Sequence, residues 1–528
     1  MKTIITMLFC VFAVSVSAWS QVFPKEGSAL HYRIIGFSVP KEEKASRYRV
    51  EVALGYFNSE DSFKKKIVKS FSAASERTTG EVPAFGATYT WRVAVTKKNG
   101  STEYGDFHHF STLSIPETDS TIFRLRIIKP AQTYKDGYVF VDGHGVLYDM
   151  NGRPVWFVPS VDGSEFQHSQ LRDIKATPQG TITFLLNDHA YEINYDGEVL
   201  WKGPENSAVS GGTEQYHHDF TRLENGHYMV LGNEQVKWDR KLNLSGEPEI
   251  TPGAPPRPVN PAADQKTIFG TVIEYDEKGN VVWSWKSSGY FIGSDVEYYV
   301  PSNKAGAVDV HENAFYFDQK DSVVYVSFRT LSRIVKIKYP SGQVLKTYGP
   351  VYQPGGAVSG TSLFCEQHNC GLTSAGRLVL YNNNVCGSEG EAMPDVMMMA
   401  EVDTGKDSLR VVWRYDCNSD DVHIDPKVGK MKERLAANLK NRGVNNTQVK
   451  TRPTSGGSVA ELPDHSVLVA MNVQYGKVFI LSPGKELLWN AVPEQFNQKD
   501  LAWYVTPIQY RASMITGRKQ LEQLIWRQ

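Results

Sequence analysis

Three histidines and an arginine occupy the same place in a repeated sequence pattern. The successive copies carry Arg172, His218, His311, His368 and Gly457 there. The whole chain contains only 13 histidines, so three at one repeat position exceed what packing alone would select. Imidazole exchanges protons near neutral pH and acts as a nucleophile, and guanidinium offers a planar set of donors to an oxyanion. The pattern predicts either an anion-transfer site or a metal centre.

Further polar residues accompany His311. Asn313 follows it two residues later, and Arg329 lies in the next predicted strand. Because adjacent antiparallel strands face each other, these three side chains are expected at one place. An arginine there would oppose a cation and suits an anion, so anion transfer is the favoured interpretation. Tyr216 is a candidate for stacking an aryl ring, and packing in the core is an equal alternative.

Two alternating patterns predict the elements that carry these residues. The first, a turn with glycine and then an apolar strand that usually ends in tryptophan, occurs at 149–156, 196–201, 276–283, 341–346, 404–413 and 483–489. The second, an inner strand, begins near 172, 218, 311, 368 and 457. Together they describe a four-stranded sheet that buries its faces only against neighbouring copies. We therefore predict an all-β fold with a six-bladed β-propeller over residues 130–528.

Six copies of the first pattern but five of the second indicate that one blade is split between the two ends of this region. Its outer strands are predicted at about 137–158 and its inner strand near 509–512. Such a closure removes exposed sheet edges. The inner-strand positions would then face a central channel.

The N-terminal region predicts a separate unit. Alternating segments at 48–54 and 89–95, with a turn at Asn99-Gly100, indicate a β-sandwich over residues 24–113 that is similar to fibronectin type III modules. Residues 1–18 are predicted to be a secretory signal, since an apolar run follows Lys2 and small residues precede the expected cleavage after Ala18. The mature protein is expected to be exported, and periplasmic in a bacterial host, with no membrane span.

Charge and cysteine content restrict the function further. The chain has 57 Lys and Arg against 58 Asp and Glu, a balance that argues against nucleic-acid partners. Outside the predicted signal, four cysteines remain: Cys365, Cys370, Cys386 and Cys417. An even number in an exported chain indicates one or two disulfides, with the pairing open, and buried thiols are the alternative. A zinc site is disfavoured because no second Cys/His pair completes one.

The chain resembles the bacterial arylsulfate sulfotransferases over nearly its full length after the signal. The resemblance rests on His217-His218-Asp219, His311-Glu312-Asn313 with Arg329 further on, Gln367-His368, and a sandwich followed by a six-bladed propeller. It implies transfer from an aryl sulfate donor to a phenolic acceptor, with no nucleotide sulfate donor and no cofactor. The chain has no phosphate-binding glycine loop, in agreement with this implication. The family also implies a homodimer.

The resemblance implies a role for each matching residue. His368 corresponds to the transiently sulfated histidine, and His218 and His311 correspond to its supporting histidines. Arg329 corresponds to the sulfate-binding arginine, Thr454 to a threonine that touches the sulfate, and Asn313 to a polar neighbour. We expect Asn313 to hold the sulfonate oxygens together with Arg329.

The cysteines depart from the family, whose best-known members have a disulfide somewhat before the nucleophile. Here Cys365 and Cys370 flank His368, and Cys386 and Cys417 fall at predicted strand ends on the same face, so all four are expected to stiffen the rim of the site.

Two other functions stay open on the sequence. A propeller with a sandwich domain suits a non-catalytic module that binds a carbohydrate or a protein partner. A ring of channel histidines also suits a metal-dependent lyase or hydrolase.

Overall fold

The computed structural model describes most of the chain in two compact units, residues 1–114 and 115–528. The described residues are 22–115, 123–163, 171–237, 266–291, 295, 308–352, 358–360, 363–384, 393–402, 409–418, 456–472, 476–499, 501–506 and 510–527. The predicted signal, Thr454, Cys386 and residue 509 of the predicted closing strand lie outside them.

The first unit consists of two sheets and one short helix. Its elements are β1 (Ser28–Leu30), β2 (Ile34–Ser38), β3 (Ala45–Leu54), α1 (Glu60–Lys64), β4 (Ile67–Ala73), β5 (Arg77–Glu81), β6 (Thr88–Lys97), β7 (Thr102–Tyr104) and β8 (His108–Thr112). The larger sheet has the order β1-β8-β6-β3-β4 with β7 beside β6, and β2 pairs with β5. Phe37 of β2 packs its ring 5.2 Å from that of Trp91 in β6, so the two sheets face each other. The predicted strands at 48–54 and 89–95 are confirmed as parts of β3 and β6.

The second unit is built almost entirely of short strands, which confirms the all-β fold class. Its elements are β9 (Phe123–Lys129), β10 (Tyr138–Val141), β11 (Val146–Asp149), β12 (Pro154–Phe157), β13 (Leu171–Ala176), β14 (Ile182–Leu186), β15 (His189–Ile193), β16 (Val199–Lys202), β17 (Phe220–Arg222), β18 (Tyr228–Lys237), β19 (Lys266–Tyr275), β20 (Val281–Lys286), a 3₁₀ turn (Ser287–Gly289), β21 (Val308–Asp309), β22 (Glu312–Asp318), β23 (Val323–Phe328), β24 (Arg333–Lys338), β25 (Gln343–Tyr348), β26 (Pro350–Tyr352), β27 (Val358–Gly360), β28 (His368–Leu372), β29 (Leu378–Asn382), β30 (Asp395–Glu401), β31 (Leu409–Asp416), β32 (Gly457–Glu461), β33 (Val467–Met471), β34 (Val478–Leu481), β35 (Leu487–Asn497), β36 (Ala502–Val505), β37 (Ala512–Ile515) and α2 (Arg518–Trp526).

Six sheets in this unit each contain a row of four antiparallel strands, which are consecutive in the chain in every sheet except sheet 1. Sheet 1 has the order β37-β10-β11-β12, sheet 2 is β13 to β16, sheet 3 is β17 to β20, sheet 4 is β22 to β25, sheet 5 is β28 to β31, and sheet 6 is β32 to β35. Strand β21 joins sheet 3, while β36 and β9 join sheet 6. The sheets follow the repeat that the sequence predicts.

Sheet 1 combines the two ends of the unit, and the predicted split is confirmed. Strand β37 pairs antiparallel with β10, so that Ala512 lies opposite Val141. The strand starts at the last residue of the predicted range. The backbone N–H groups of Tyr510 and Arg511 donate to the buried carboxylate of Asp142, at 3.0 and 2.8 Å.

Repeated tryptophans connect neighbouring sheets. Each indole N–H donates to a carbonyl oxygen of the following sheet: Trp156 to Tyr195, Trp283 to Pro340, Trp413 to Pro483, and Trp489 to Met150. The last bond joins sheet 6 to sheet 1. A large apolar ring with one satisfied donor is well suited to a buried contact between sheets, which explains why the turn pattern ends in tryptophan.

Candidate functional site

The candidate site begins where the inner strands start, and the backbone there is unusual. His218 and His311 have positive φ angles of 60° and 56°, a region that residues other than glycine seldom adopt. Local hydrogen bonds hold both conformations. The N–H of Asp219 donates to the carbonyl of His217 at 2.7 Å, and the N–H of His311 donates to Oδ1 of Asp309 at 2.7 Å. These turns project both imidazoles away from their own sheets.

The three predicted histidines come together. The ring centroids of His218 and His311 are 5.2 Å apart, and those of His311 and His368 are 6.2 Å apart. Tyr510 lies among them, with its ring centroid 5.6 Å from that of His218 and 5.8 Å from that of His368. The guanidinium carbon of Arg172 is 5.8 Å from the centre of the Tyr510 ring. Residues from sheets 1 to 5 therefore meet at one place.

His368 is buried and fixed through one ring nitrogen. Its Nδ1 lies 2.9 Å from Nδ2 of Asn383 and 3.3 Å from the carbonyl oxygen of Glu366. Asn383 is itself held, because its Nδ2 also donates to the Glu366 carbonyl and its Oδ1 accepts from Gly456. Burial, with the positive charge of Arg329 nearby, holds the pKa of His368 well below its ordinary value of 6.5. The ring is therefore neutral at physiological pH, with Nε2 on the side away from these contacts.

His218 has a histidine as its partner. Its Nδ1 lies 2.8 Å from Nδ1 of His217, so one of the two rings donates to the other. Burial and the neighbouring imidazoles hold the pKa of His218 well below 6.5, and burial also lowers the pKa of His217. This pair is neutral.

His311 has a carboxylate as its partner. Its Nδ1 lies 3.5 Å from Oδ2 of Asp309. Burial opposes ionisation of Asp309, yet the hydrogen bond and charge of His311 hold the pKa of this carboxyl below its ordinary value of 3.8. The two supporting histidines are therefore in different electrostatic surroundings.

Arg329 lies near the histidines, and part of its hydrogen-bonding capacity is already used. Its Nη2 forms an ion pair with Oε2 of Glu366 at 2.7 Å, and its backbone N–H donates to the carbonyl of His311. Its buried Nε has no hydrogen-bond partner among the described residues. The guanidinium thus brings a positive charge close to His368 and retains a donor.

Asn313 bonds the backbone of the residue that precedes His368. The side chain is fully buried, and Nδ2 donates to the carbonyl of Gln367 at 2.7 Å. The strand register shifts between Glu312 and Ala314, which alters the alternation of side chains along β22. One of the two N–H groups on Nδ2 is used in this bond, and Oδ1 has no partner among the described residues, so sulfate binding by Asn313 stays a prediction.

Tyr216 also takes the alternative that the sequence left open. Its side chain is buried in the core between sheets 2 and 3, where its hydroxyl donates to Pro204 and contacts the hydroxyl of Tyr275. A ring enclosed in this way cannot stack on a substrate, so its predicted substrate role is corrected. Thr454 lies outside the described residues.

Sequence reasoning missed Tyr510 and Asn383. Tyr510 occupies the start of the closing inner strand, equivalent to the positions of Arg172 and His218, so the repeat alignment contained its signal. Asn383 comes directly after β29, the strand that pairs with the strand of His368, and no sequence motif marks it.

A layer of buried charges lies on one side of the histidines. Nη1 of Arg511 lies 3.0 Å from Oδ1 of Asp173 and 3.1 Å from Oδ2 of Asp219. Its Nη2 donates to the carbonyl of Asn313, and Lys175 pairs with both aspartates. A cavity of about 350 Å³ borders this layer. These contacts join the inner strands of several sheets.

The described cysteines do not all form disulfides. Cys370 and Cys417 are free, buried thiols, so the expectation that all four cysteines stiffen the rim is wrong. No group of three or more His, Cys, Asp or Glu side chains in the described residues has the geometry of a metal site. None of the helices in those ranges has the length and apolar character that a membrane crossing needs.

The fold and site define an all-β protein with a buried histidine cluster beside an arginine. The family model of the arylsulfotransferases (ASST) matches residues 127–246 and 257–422, which is more than half of the chain. The chain belongs to this family, and the resemblance predicted from sequence is confirmed. Membership implies aryl sulfotransferase activity in general, with a sulfate donor and an acceptor as substrates.

Other comparisons add little. No curated protein sequence matches the chain significantly. An auxiliary nutrient-binding protein from Bacteroides ovatus is 8% identical, with 92% of this chain and 88% of the other covered and a TM-score of 0.33. Hydrazine synthase of Kuenenia stuttgartiensis is 11% identical, with coverages of 66% and 72% and a TM-score of 0.30. TM-scores in this range carry neither a fold nor a function over to this chain.

Proposed function

We propose that this protein transfers a sulfuryl group from an aryl sulfate to a phenol by a ping-pong reaction through a sulfohistidine at His368. One observation carries the proposal: the neutral imidazole of His368 lies near the positive charge of Arg329, and its ring centroid is 6.2 Å from that of His311. A neutral nucleophile next to a fixed positive charge suits attack on an anionic ester.

In the first step, the lone pair on Nε2 of His368 attacks sulfur. An N–S bond forms while the bond from sulfur to the aryl oxygen breaks, and its electron pair leaves on that oxygen, which takes a proton from a supporting histidine. In the structure, Nδ2 of Asn383 donates to Nδ1 of His368, which places the ring proton on Nε2. Attack requires that this proton move to Nδ1, where the Glu366 carbonyl oxygen at 3.3 Å accepts it. Arg329 binds the sulfonate oxygens, whose charge spreads in a loose transition state as in phosphoryl transfer.

In the second step, the oxygen of the acceptor phenol attacks sulfur. The N–S bond breaks, its electron pair returns to Nε2, and the phenolic proton passes to the supporting histidine. The supporting histidine therefore donates a proton in the first step and accepts one in the second. Proton transfer of this kind contributes about 10²–10⁴-fold in rate.

We also propose that the six sheets close into a six-bladed propeller with the histidines at its axis. The indole of Trp489 in sheet 6 bonds Met150 at the turn between β11 and β12 of sheet 1, and β37 completes sheet 1 from the far end of the chain. Both contacts support a closed ring. The homodimer is proposed from the family resemblance, and the fibronectin-like sandwich is proposed from the alternating segments of the N-terminal region.

The assay uses p-nitrophenyl sulfate with and without phenol, and with and without EDTA. Release of p-nitrophenol that depends on phenol and survives EDTA is expected. His368→Ala should abolish release, while His465→Ala, at an exposed histidine, should not. Mass analysis should find a sulfate-sized adduct on the peptide that contains His368. Activity of His368→Ala at the wild-type level would exclude this nucleophile.

The same assay separates the alternatives. Release that EDTA blocks would support a metal-dependent lyase or hydrolase. If no tested donor or acceptor produces turnover or an adduct, the binding-module interpretation is favoured.

We further propose that the mature protein is exported and that Cys365 pairs with Cys386. Of the described cysteines, Cys370 and Cys417 are free whereas Cys365 is not. Alkylation of the denatured mature protein should label two cysteines before reduction and four after it. Four labels before reduction would exclude the disulfide.

A further inference from the structure

We infer that Asp309 is a positioning residue that makes His311, rather than His218, the histidine that carries the proton in both half-reactions. The inference rests on the proposed sulfuryl transfer and assigns its proton donor and acceptor. It follows from the different partners that the two supporting imidazoles have in the fold.

The carboxylate of Asp309 holds residue 311 at two points. Oδ1 accepts the backbone N–H of His311 at 2.7 Å, which stabilises its left-handed conformation. Oδ2 lies 3.5 Å from Nδ1 of the same residue. A carboxylate there favours the proton on Nδ1 and stabilises the charge when Nε2 also takes one. Nε2 of His311 is thereby available to exchange a proton.

The nearby Glu312 does not take over this role. Its carboxyl group is fully buried, and burial together with the charge of Asp309 raises its pKa well above 4.5. Burial therefore disfavours the charged form of Glu312. Among the described residues, Asp309 is the carboxylate that lies within ion-pair distance of the His311 ring.

Among the described residues, no carboxylate forms an ion pair with His218. Its Nδ1 faces Nδ1 of His217 at 2.8 Å, and one neutral ring donates to the other. A second proton on His218 would place a buried positive charge next to His217, Arg511 and the other imidazoles. A neutral His218 can orient the substrate by a hydrogen bond, but its protonated form is not stabilised, so it is unsuited to carry the transferred proton.

The proton path is balanced in each half-reaction. When the S–O bond breaks, the proton on Nε2 of His311 moves to the leaving phenoxide, and His311 becomes neutral. When the acceptor attacks, its phenolic proton moves to Nε2 of His311. Asp309 touches neither the substrate nor the reacting atoms.

The test compares aryl sulfates whose leaving phenols range from acidic p-nitrophenol to phenol itself. Asp309→Asn retains the Oδ1 acceptor for the backbone and removes the charge. If His311 protonates the leaving oxygen, this variant should lose less than about threefold in the sulfation rate with p-nitrophenyl sulfate and about 10²-fold with phenyl sulfate. Asp309→Glu should restore part of the loss with phenyl sulfate, and Asp321→Asn, at an exposed aspartate, should behave as wild type.

His217→Gln is the matched variant for the other pair. Because His218 is assigned an orienting role, the sulfation rates of the His217→Gln variant should fall by a similar factor for every aryl sulfate in the series. A steep dependence on the leaving group in His217→Gln, or a uniform loss in Asp309→Asn, would overturn the assignment. The adduct on His368 of the wild-type protein separates a failure of this assignment from a failure of the proposed function. If the adduct forms but the variants give the overturning result, only the assignment of the proton carrier has failed. If the adduct never forms, the proposed function itself has failed.

Discussion

The residues of the site differ in how completely their polar groups are used. Several buried polar atoms around the histidines have no hydrogen-bond partner among the described residues, among them Nε2 of His217 and Nε of Arg329. The hydroxyl of Tyr510 is another of these atoms. It lies on a ring that contacts both His218 and His368. An unpaired hydroxyl at this place is suited to donate to a bound sulfate ester.

The first prediction concerns this hydroxyl. Tyr510→Phe should lower kcat/KM for p-nitrophenyl sulfate by about 10–100-fold, because a hydrogen bond to the transition state is lost. It should not lower the free energy of unfolding, since no folded-state bond is removed. Tyr216→Phe should do the opposite, with about 1 kcal/mol lost in stability and little change in kcat/KM, because that hydroxyl bonds Pro204. Equal effects of both variants on kcat/KM would contradict the assignment.

The second prediction concerns pH. The pKa values of His218 and His368 are lowered in the folded protein, so below pH 6.5 the unfolded chain binds protons that the folded chain does not. The free energy of unfolding therefore falls as the pH falls, by up to about 1.4 kcal/mol per pH unit for each histidine.

Urea unfolding at pH 7.5 and 5.5 measures this contribution. The double variant His218→Gln/His368→Gln should lose less stability between the two pH values than the wild type. Asp142, whose pKa burial raises to about 6, contributes in the opposite direction in both proteins and cancels in the comparison. Identical pH dependences in the two proteins would show that these histidines titrate normally.

At the scale of elements, the start of each inner strand is the decisive feature. Register shifts occur in β13, β22 and β28 near their first residues, next to Arg172, His311 and His368. Bulges of this kind redirect side chains and are frequent beside active sites. They bring imidazoles from separate sheets to one place without a long loop.

Sheet 6 has glycine at the equivalent position for a steric reason. A Cβ on Gly457 would lie 2.7 Å from the ring of Tyr381 and 2.6 Å from the carbonyl oxygen of Ala470, and its φ is +157°. Gly457→Ala should therefore lose about 2–4 kcal/mol in the free energy of unfolding. Gly376→Ala, where φ is +69° and the added Cβ meets open space, should lose only about 1 kcal/mol. Urea midpoints compare the two, and equal losses would mean that the contact with Tyr381 is unimportant.

At the scale of the whole molecule, Arg511 links strands that are far apart in the sequence. It comes from the end of the chain and pairs with Asp173 of sheet 2 and Asp219 at the start of sheet 3. All three side chains are buried. Removing the arginine would leave two neighbouring carboxylates with Lys175 as their remaining positive partner.

Arg511→Met is expected to lose about 3–5 kcal/mol in the free energy of unfolding, because breaking a buried ion pair leaves uncompensated charge. Arg153→Met, which removes the pair between an exposed arginine and Asp149, should cost less than about 1 kcal/mol. Urea unfolding of both variants tests this. A small loss for Arg511→Met would show that the charged layer contributes little to holding the sheets together.

Much of the second unit could be predicted without coordinates. The repeat of turn, apolar strand and tryptophan is a local pattern, so it marks six sheets and the shared position of His218, His311 and His368. The mismatch between six outer and five inner copies also located the strand that closes sheet 1. These signals survive in the sequence because each sheet needs the same apolar period and the same turn chemistry.

The roles of individual side chains were decided by the tertiary structure. Sequence proximity to His311 makes Asn313 a candidate sulfate ligand, and only the structure shows that its amide also bonds the backbone of Gln367 beside a register shift. Tyr510 and Asn383 reach the histidines from strands distant in the chain. Which imidazole stays neutral and which has a carboxylate partner depends on neighbours within about 4 Å, and such contacts are set by how sheets pack against each other rather than by the order of residues.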